Sequence, residues 1–185
     1  MGVNRNMKIS FKDMFFTSLL YVVYYCGSML LSLVIPIIPN LIISIIFSND
    51  INNIRTLTGY VLLITVYLIS IFILFYRDGY KKNVSYDNNK IFNRFILSAV
   101  ISYIIYYLIG IIIYIFSWTT FMVIHSPTYI CLVLGALEEP EDITFKLISI
   151  SSLITIIPIF IFSLSGFKTG INKRKKDRSK IIKNN

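Results

Sequence analysis

Long uncharged stretches alternate with short charged blocks along this chain. Residues 14–36, 57–76, 95–117 and 147–165 contain no Asp, Glu, Lys, Arg or His. Each stretch is close to the roughly 20 helical residues that cross a hydrocarbon core of about 30 Å. A charge at the centre of such a helix costs about 2.5–3.5 kcal/mol on the insertion scale. The pattern therefore predicts an all-α integral membrane bundle with four transmembrane helices.

Composition agrees with this class of protein. The chain is 56% hydrophobic and 15% charged, whereas soluble domains carry roughly 25% charged residues. The first stretch follows a basic amino terminus, as in a signal peptide, but it is too long and lacks a small-residue cleavage pattern. We interpret it as a retained span.

The basic residues are distributed unequally between the two sides of the predicted spans. Of the 18 Lys and Arg residues, only Arg55 and Lys146 fall on one side. The positive-inside rule then predicts that both termini are cytoplasmic. The net charge of +9 is explained by this topology, so no nucleic-acid partner is expected. High Ile, Asn and Lys usage is typical of AT-rich bacterial genomes, and we predict a bacterial cytoplasmic membrane.

Two further apolar segments, residues 37–47 and 118–136, lie on the predicted outer side. They are broken by Pro39, His125 and Pro127. If 118–136 formed a fifth span, the most basic segment of the chain would face outward, against the positive-inside rule. We expect interfacial or re-entrant hairpins, with a fifth span as the alternative.

The spans also contain an internal similarity. The motif Tyr-x-x-Tyr-Tyr begins at Tyr21 and again at Tyr103, while Gly79-Tyr-Lys resembles Gly166-Phe-Lys. Since both halves enter the membrane in the same direction, this pattern predicts a parallel repeat of two hairpins. The alternative is chance similarity between helices of simple composition.

The same tyrosines provide a candidate site inside the membrane. Spacings of three and four residues place each motif on one helical face, and a buried hydroxyl needs a partner. We predict a polar seam formed by Tyr24, Tyr25, Tyr106 and Tyr107. It either joins helices by hydrogen bonds or binds a small or lipid-like ligand.

A weak metal site is the main catalytic alternative. Its candidate ligands, on the predicted outer side, are His125, Glu138, Glu139, Glu141 and Asp142. Imidazole and carboxylates suit a divalent cation, but their spacing defines no known site. The chain contains no P-loop, zincin helix, nucleophile elbow or glycine fingerprint. We therefore expect no cofactor and no enzymatic activity.

The carboxyl-terminal segment, residues 166–185, is predicted to be a basic cytoplasmic tail. Basic residues near an anionic leaflet each gain about 1 kcal/mol. The residues expected to contact lipid headgroups are Lys173, Arg174, Lys175, Lys176 and Arg178.

These features favour a non-enzymatic subunit or accessory of a membrane transport or export complex. Association with itself or with other membrane proteins is expected. The alternatives are a stand-alone interaction factor of the immunity or stress-response type, and an outer-face metal-assisted enzyme. The sequence identifies no family.

Overall fold

A computed structural model describes residues 11–46, 52–81, 88–116 and 145–184. All of these except the turn at Ile35–Pro36 are helical. The helices are α1 (Phe11–Val34), α2 (Ile37–Ile46), α3 (Asn52–Lys81), α4 (Asn88–Phe116) and α5 (Phe145–Asn184). A helix suits these apolar sequences because it satisfies the backbone polar groups within its own segment, except those of its end turns.

Four of the helices are long and apolar enough to cross a membrane. The qualifying segments are Phe11–Pro39, Val61–Lys81, Ile91–Ile109 and Ile154–Ile181. The predicted all-α membrane bundle with four spans is thereby confirmed. The internal repeat stays a prediction.

The helices extend beyond the predicted spans mainly at their charged ends. We call this end of the bundle the basic end; Arg77, Arg94 and Lys168 lie there. Predicted span 57–76 is part of a helix of 30 residues, and span 147–165 is part of one of 40 residues. A 40-residue helix is about 60 Å long, roughly twice the hydrocarbon thickness. Charged residues outside the hydrocarbon can continue a helix that began inside it.

Proline determines the break after the first span. The Ile35 amide still donates to the Leu31 carbonyl at 2.9 Å, but Pro36 has no N–H and disfavours helical geometry in the residue before it. The chain turns and resumes as α2, where Pro39 is tolerated in the first turn. Residues 37–46, predicted as part of an apolar hairpin, thus form one short helix that contacts α3. The other predicted hairpin, 118–136, lies outside the described residues.

The packing is centred on α1 and α3. Helix α1 packs against both α3 and α4, while α3 also makes the most extensive helix pair of the bundle with α5. Two glycines of α5 explain the closeness of that pair. A Cβ added to Gly166 would meet the backbone carbonyl oxygen of Phe72, and one added to Gly170 would meet that of Tyr76. Small residues four apart allow membrane helices to approach backbone to backbone.

The outward faces of the helices carry exposed Phe, Leu, Ile and Val side chains, for example Phe16, Ile73 and Ile157. The inward faces carry aromatic rings together with serine and threonine hydroxyls. This arrangement is expected of a bundle solvated by lipid, where the polar groups turn inward.

Candidate functional site: a buried core of rings and hydroxyls

Each of the four long helices contributes one aromatic ring to a layer across the bundle. This aromatic layer consists of Tyr21, Phe75, Phe95 and Phe167, all at most 2% exposed. The Phe95 and Phe167 rings stack with centroids 4.1 Å apart, and Tyr21 meets Phe75 edge to face at 4.7 Å. Contacts at 5.7 Å and 5.8 Å join Phe95 to Phe75 and Tyr21. The layer fills the bundle near its basic end.

A carboxylate is buried beside this layer. Asp78 of α3 is 6% exposed and accepts a hydrogen bond from the Tyr21 hydroxyl at 2.7 Å. A buried carboxylate is strongly disfavoured unless hydrogen bonds or charges compensate it. Tyr21 thus stabilises the carboxylate of Asp78 and ties α1 to the last turn of α3.

Tyr25 forms a second connection, one turn further from the basic end. It is 1% exposed, and its hydroxyl lies within hydrogen-bonding reach of the Ser102 and Ser163 hydroxyls. Ser102 and Ser163 also donate to carbonyls within their own helices, at 2.6 Å and 2.8 Å. The Tyr25 junction therefore links α1, α4 and α5 through one phenol.

A third group of hydroxyls is buried without a protein partner. Among the described residues, the hydroxyls of Ser28, Tyr67 and Ser98 are enclosed and make no hydrogen bond. Each of these residues is 0% exposed. Tyr67 belongs to the same buried core cluster as Tyr25, Tyr103 and Tyr106. A buried polar group without a hydrogen-bond partner is unusual and needs an explanation.

The structure brings together part of the predicted seam. Tyr25 and Tyr106 are both buried, with ring centroids 6.1 Å apart. Tyr24 and Tyr107 are only partly buried, although the Tyr24 ring contacts Phe75 at 5.5 Å. The buried residues of the two Tyr-x-x-Tyr-Tyr motifs are thus Tyr21 and Tyr25 on α1 and Tyr103 and Tyr106 on α4.

The basic residues of α5 are not equivalent. Arg174 turns toward α3, where its Nη1 donates to the Tyr80 carbonyl at 2.8 Å and its guanidinium lies 5.9 Å from the Tyr80 ring. Tyr80 in turn donates to Asp177 at 3.2 Å, and Lys173 lies 3.4 Å from that carboxylate. Arg174 therefore holds the end of α3, where a terminal carbonyl has no partner within its own helix.

The remaining predicted headgroup contacts differ in exposure. Lys176 and Arg178 are exposed, and Lys175 is partly buried. They lie on the carboxyl-terminal part of a continuous helix, because α5 runs unbroken from Phe145 to Asn184. Their contact with lipid stays a prediction.

The predicted metal ligands lie outside the described residues. They are His125, Glu138, Glu139, Glu141 and Asp142. Within the described ranges, no group of three or more His, Cys, Asp or Glu side chains is arranged to hold a metal ion.

Sequence reasoning missed Asp78 because the predicted span 57–76 ends two residues before it. The apolar segment in the structure extends to Lys81 and includes Asp78, so the interior of the bundle does carry an ionisable group. A signal for the glycine contact was present in the sequence as Gly166-x-x-x-Gly170, the spacing that brings membrane helices together. Burial of Asp78 had no comparable local signal, since it depends on a tyrosine 57 positions away.

Comparison with known proteins identifies no relative of this chain. No protein-family model, curated protein or solved structure matches the chain. The site is therefore interpreted from its own geometry.

Proposed function

We propose that this protein is a non-enzymatic subunit or accessory of a membrane complex for transport or export. It would lie in the cytoplasmic membrane with both termini inside, and it would associate with itself or with other membrane proteins. The observation that carries this proposal is the form of α5, which leaves the apolar bundle as one continuous helix and extends to Asn184.

Three contacts support a rigid connection between this extension and the bundle. Gly170 packs against the Tyr76 backbone, Arg174 donates to the Tyr80 carbonyl, and Tyr80 donates to Asp177. Lys176, and beyond these contacts Lys180 and Ile181, are exposed. A rigid basic helix of this kind suits docking to an acidic surface of a partner at the membrane.

The filled interior supports a role as a subunit. The aromatic layer packs rings from all four long helices near the basic end. A path for a solute would then lie between this protein and its partners, not along its own axis.

Site-specific photo-crosslinking tests the proposal. A photoreactive amino acid at Lys176 or Lys180 is expected to attach a component of a transport or export system in intact cells. The same group at Phe167, which is 0% exposed, serves as the control and should react only within the chain. Exclusive adducts with lipid or with soluble stress proteins at Lys176 would contradict the proposal.

Cysteine labelling tests the orientation independently. In a background lacking Cys26 and Cys131, single cysteines replacing Lys176 and Glu139 should react with a membrane-impermeant maleimide from opposite sides. Labelling of both from one side would contradict the proposed topology. Labelling of Lys176→Cys only from outside would reverse it.

A further inference from the structure

We propose that the interior of the bundle contains a water-binding site formed by the hydroxyls of Tyr67 and Ser28. This inference goes beyond the proposed function and does not depend on which complex the protein joins. It rests on burial, on the hydrogen-bond partners of the core and on the position of the two residues relative to the aromatic layer.

The first argument is that these hydroxyls need partners. Tyr67 and Ser28 are each 0% exposed, and neither hydroxyl is bonded within the described residues. An unpaired hydroxyl in an apolar interior destabilises the folded state, whereas one bonded to ordered water does not. Lipid tails supply no hydrogen-bond partner. Water is the smallest molecule that can act as both donor and acceptor here.

The second argument is the local supply of polar groups. Buried water needs two to four polar partners. Tyr67 packs in one buried cluster with Tyr25, Tyr103 and Tyr106, all of which carry hydroxyls. On α1, the buried hydroxyl residues Tyr25 and Ser28 lie three positions apart and therefore on one inward face.

The third argument is depth. Tyr67 lies about 12 Å along α3 from Phe75, and Ser28 lies about 10 Å along α1 from Tyr21, at 1.5 Å per residue. Helix α1 begins at the basic end and α3 ends there, so Ser28, which follows Tyr21, and Tyr67, which precedes Phe75, lie on the same side of the aromatic layer. Their depths in the bundle are similar. The layer separates this site from the aqueous phase at the basic end.

The first test compares Tyr67→Phe with Tyr25→Phe. Both variants keep the ring and remove only a hydroxyl, so both should fold. If water is bound, Tyr67→Phe should lower the thermal unfolding midpoint in detergent by about 2–4 °C. Tyr25→Phe is the reference for a lost hydrogen bond and should lower it by a similar amount, because the Tyr25 hydroxyl has serine partners. A midpoint that is unchanged or raised for Tyr67→Phe overturns the proposal, because removing a dry, unpaired hydroxyl relieves a cost.

The second test detects the water directly. Solid-state NMR in phosphatidylglycerol–phosphatidylethanolamine vesicles measures magnetisation transfer from water to ring carbons labelled with carbon-13. The Tyr67 signal is identified by its loss in Tyr67→Phe. We expect rapid transfer to Tyr67 and little to Phe75 or Phe167 in the aromatic layer. No transfer to Tyr67 overturns the proposal even if Tyr67→Phe is destabilised, since the partner is then a protein group.

Discussion

Two helix pairs in this bundle are held together in different ways. Helices α3 and α5 approach backbone to backbone at Gly166 and Gly170. Helices α1 and α4 instead meet through side chains, with the Tyr25 ring 6.1 Å from the rings of Tyr103 and Tyr106. The first contact needs the absence of a side chain, and the second needs large side chains with polar ends.

The difference follows from the solvent. Lipid tails are as apolar as leucine, so membrane helices gain little from simple hydrophobic burial. Close backbone packing strengthens van der Waals contact, and hydrogen bonds between helices supply the rest. The α3–α5 pair relies on close backbone packing at Gly166 and Gly170 and adds hydrogen bonds at Tyr80, near its end. The α1–α4 pair relies on packed aromatic rings instead. Phe167 joins the two pairs, because its ring stacks on Phe95 of α4 while its backbone faces Gly79 of α3.

Replacing this shared residue should have the largest effect. Phe167→Ala removes a ring that is 0% exposed and leaves a cavity between α4 and α5. We expect a loss of about 3–5 kcal/mol of unfolding free energy, the range for large-to-small changes in a core. Titration with sodium dodecyl sulfate in mixed micelles measures it.

The matched control for that change is Phe16→Ala, since Phe16 is 59% exposed and faces the lipid. It should change stability by less than about 0.5 kcal/mol. Equal effects of the two substitutions would mean that the aromatic layer is not a packed core, and the distinction between the helix pairs would fail.

Gly170→Ala tests the backbone contact alone. The added methyl group would meet the Tyr76 carbonyl oxygen, and relief requires α3 and α5 to separate. Overpacking of this kind costs about 1–3 kcal/mol. Gly27→Ala is the control, because its Cβ would meet nothing within 4 Å, and alanine in a helix favours stability by about 0.5–1 kcal/mol. Opposite signs for the two substitutions are expected, and a stabilised Gly170→Ala would contradict the close approach.

Tyr21→Phe tests the polar link between α1 and α3. It keeps the ring in the aromatic layer but removes the 2.7 Å hydrogen bond to Asp78. Hydrogen bonds to charged groups contribute about 1.5–3 kcal/mol in soluble proteins and at most about 1.7 kcal/mol between membrane helices. We expect a loss of about 1–2 kcal/mol by the same titration. In an Asp78→Asn background the loss from Tyr21→Phe should be smaller, and an undiminished loss would contradict the pairing.

The sequence predicted the number of membrane helices correctly because each span lacks charge over its full length, a property that a single segment carries by itself. It placed the end of span four at residue 165 and made no prediction that the same helix extends to Asn184. The helix continues because Gly170 and Arg174 bind it to α3. Helix continuation outside lipid depends on a neighbouring helix, which a hydropathy pattern does not report.

The candidate site was predicted only in part for the same reason. The Tyr-x-x-Tyr-Tyr spacing identified Tyr25 and Tyr106, since neighbours on one helical face follow from periodicity. Which residues of two facing helices meet depends on how each helix is rotated about its axis. The rotation of α1 places Tyr24 toward the edge of the core. Tyr67 and Asp78 come from α3, where the repeat pattern marked only Gly79-Tyr-Lys at the end of the helix and not these two residues.

The smallest effect is expected at the far end of the α3–α5 pair. Asp177→Asn removes the charge that faces Lys173 at 3.4 Å, where the side chains are 52% and 31% exposed, but keeps an oxygen for the Tyr80 hydroxyl. Exposed pairs at this spacing contribute about 0.3–0.5 kcal/mol, and salt screens them. The change in stability should fall within that range and disappear at about 1 M salt. A loss comparable to that of Gly170→Ala would mean that charge, not close backbone packing, holds α5 against α3.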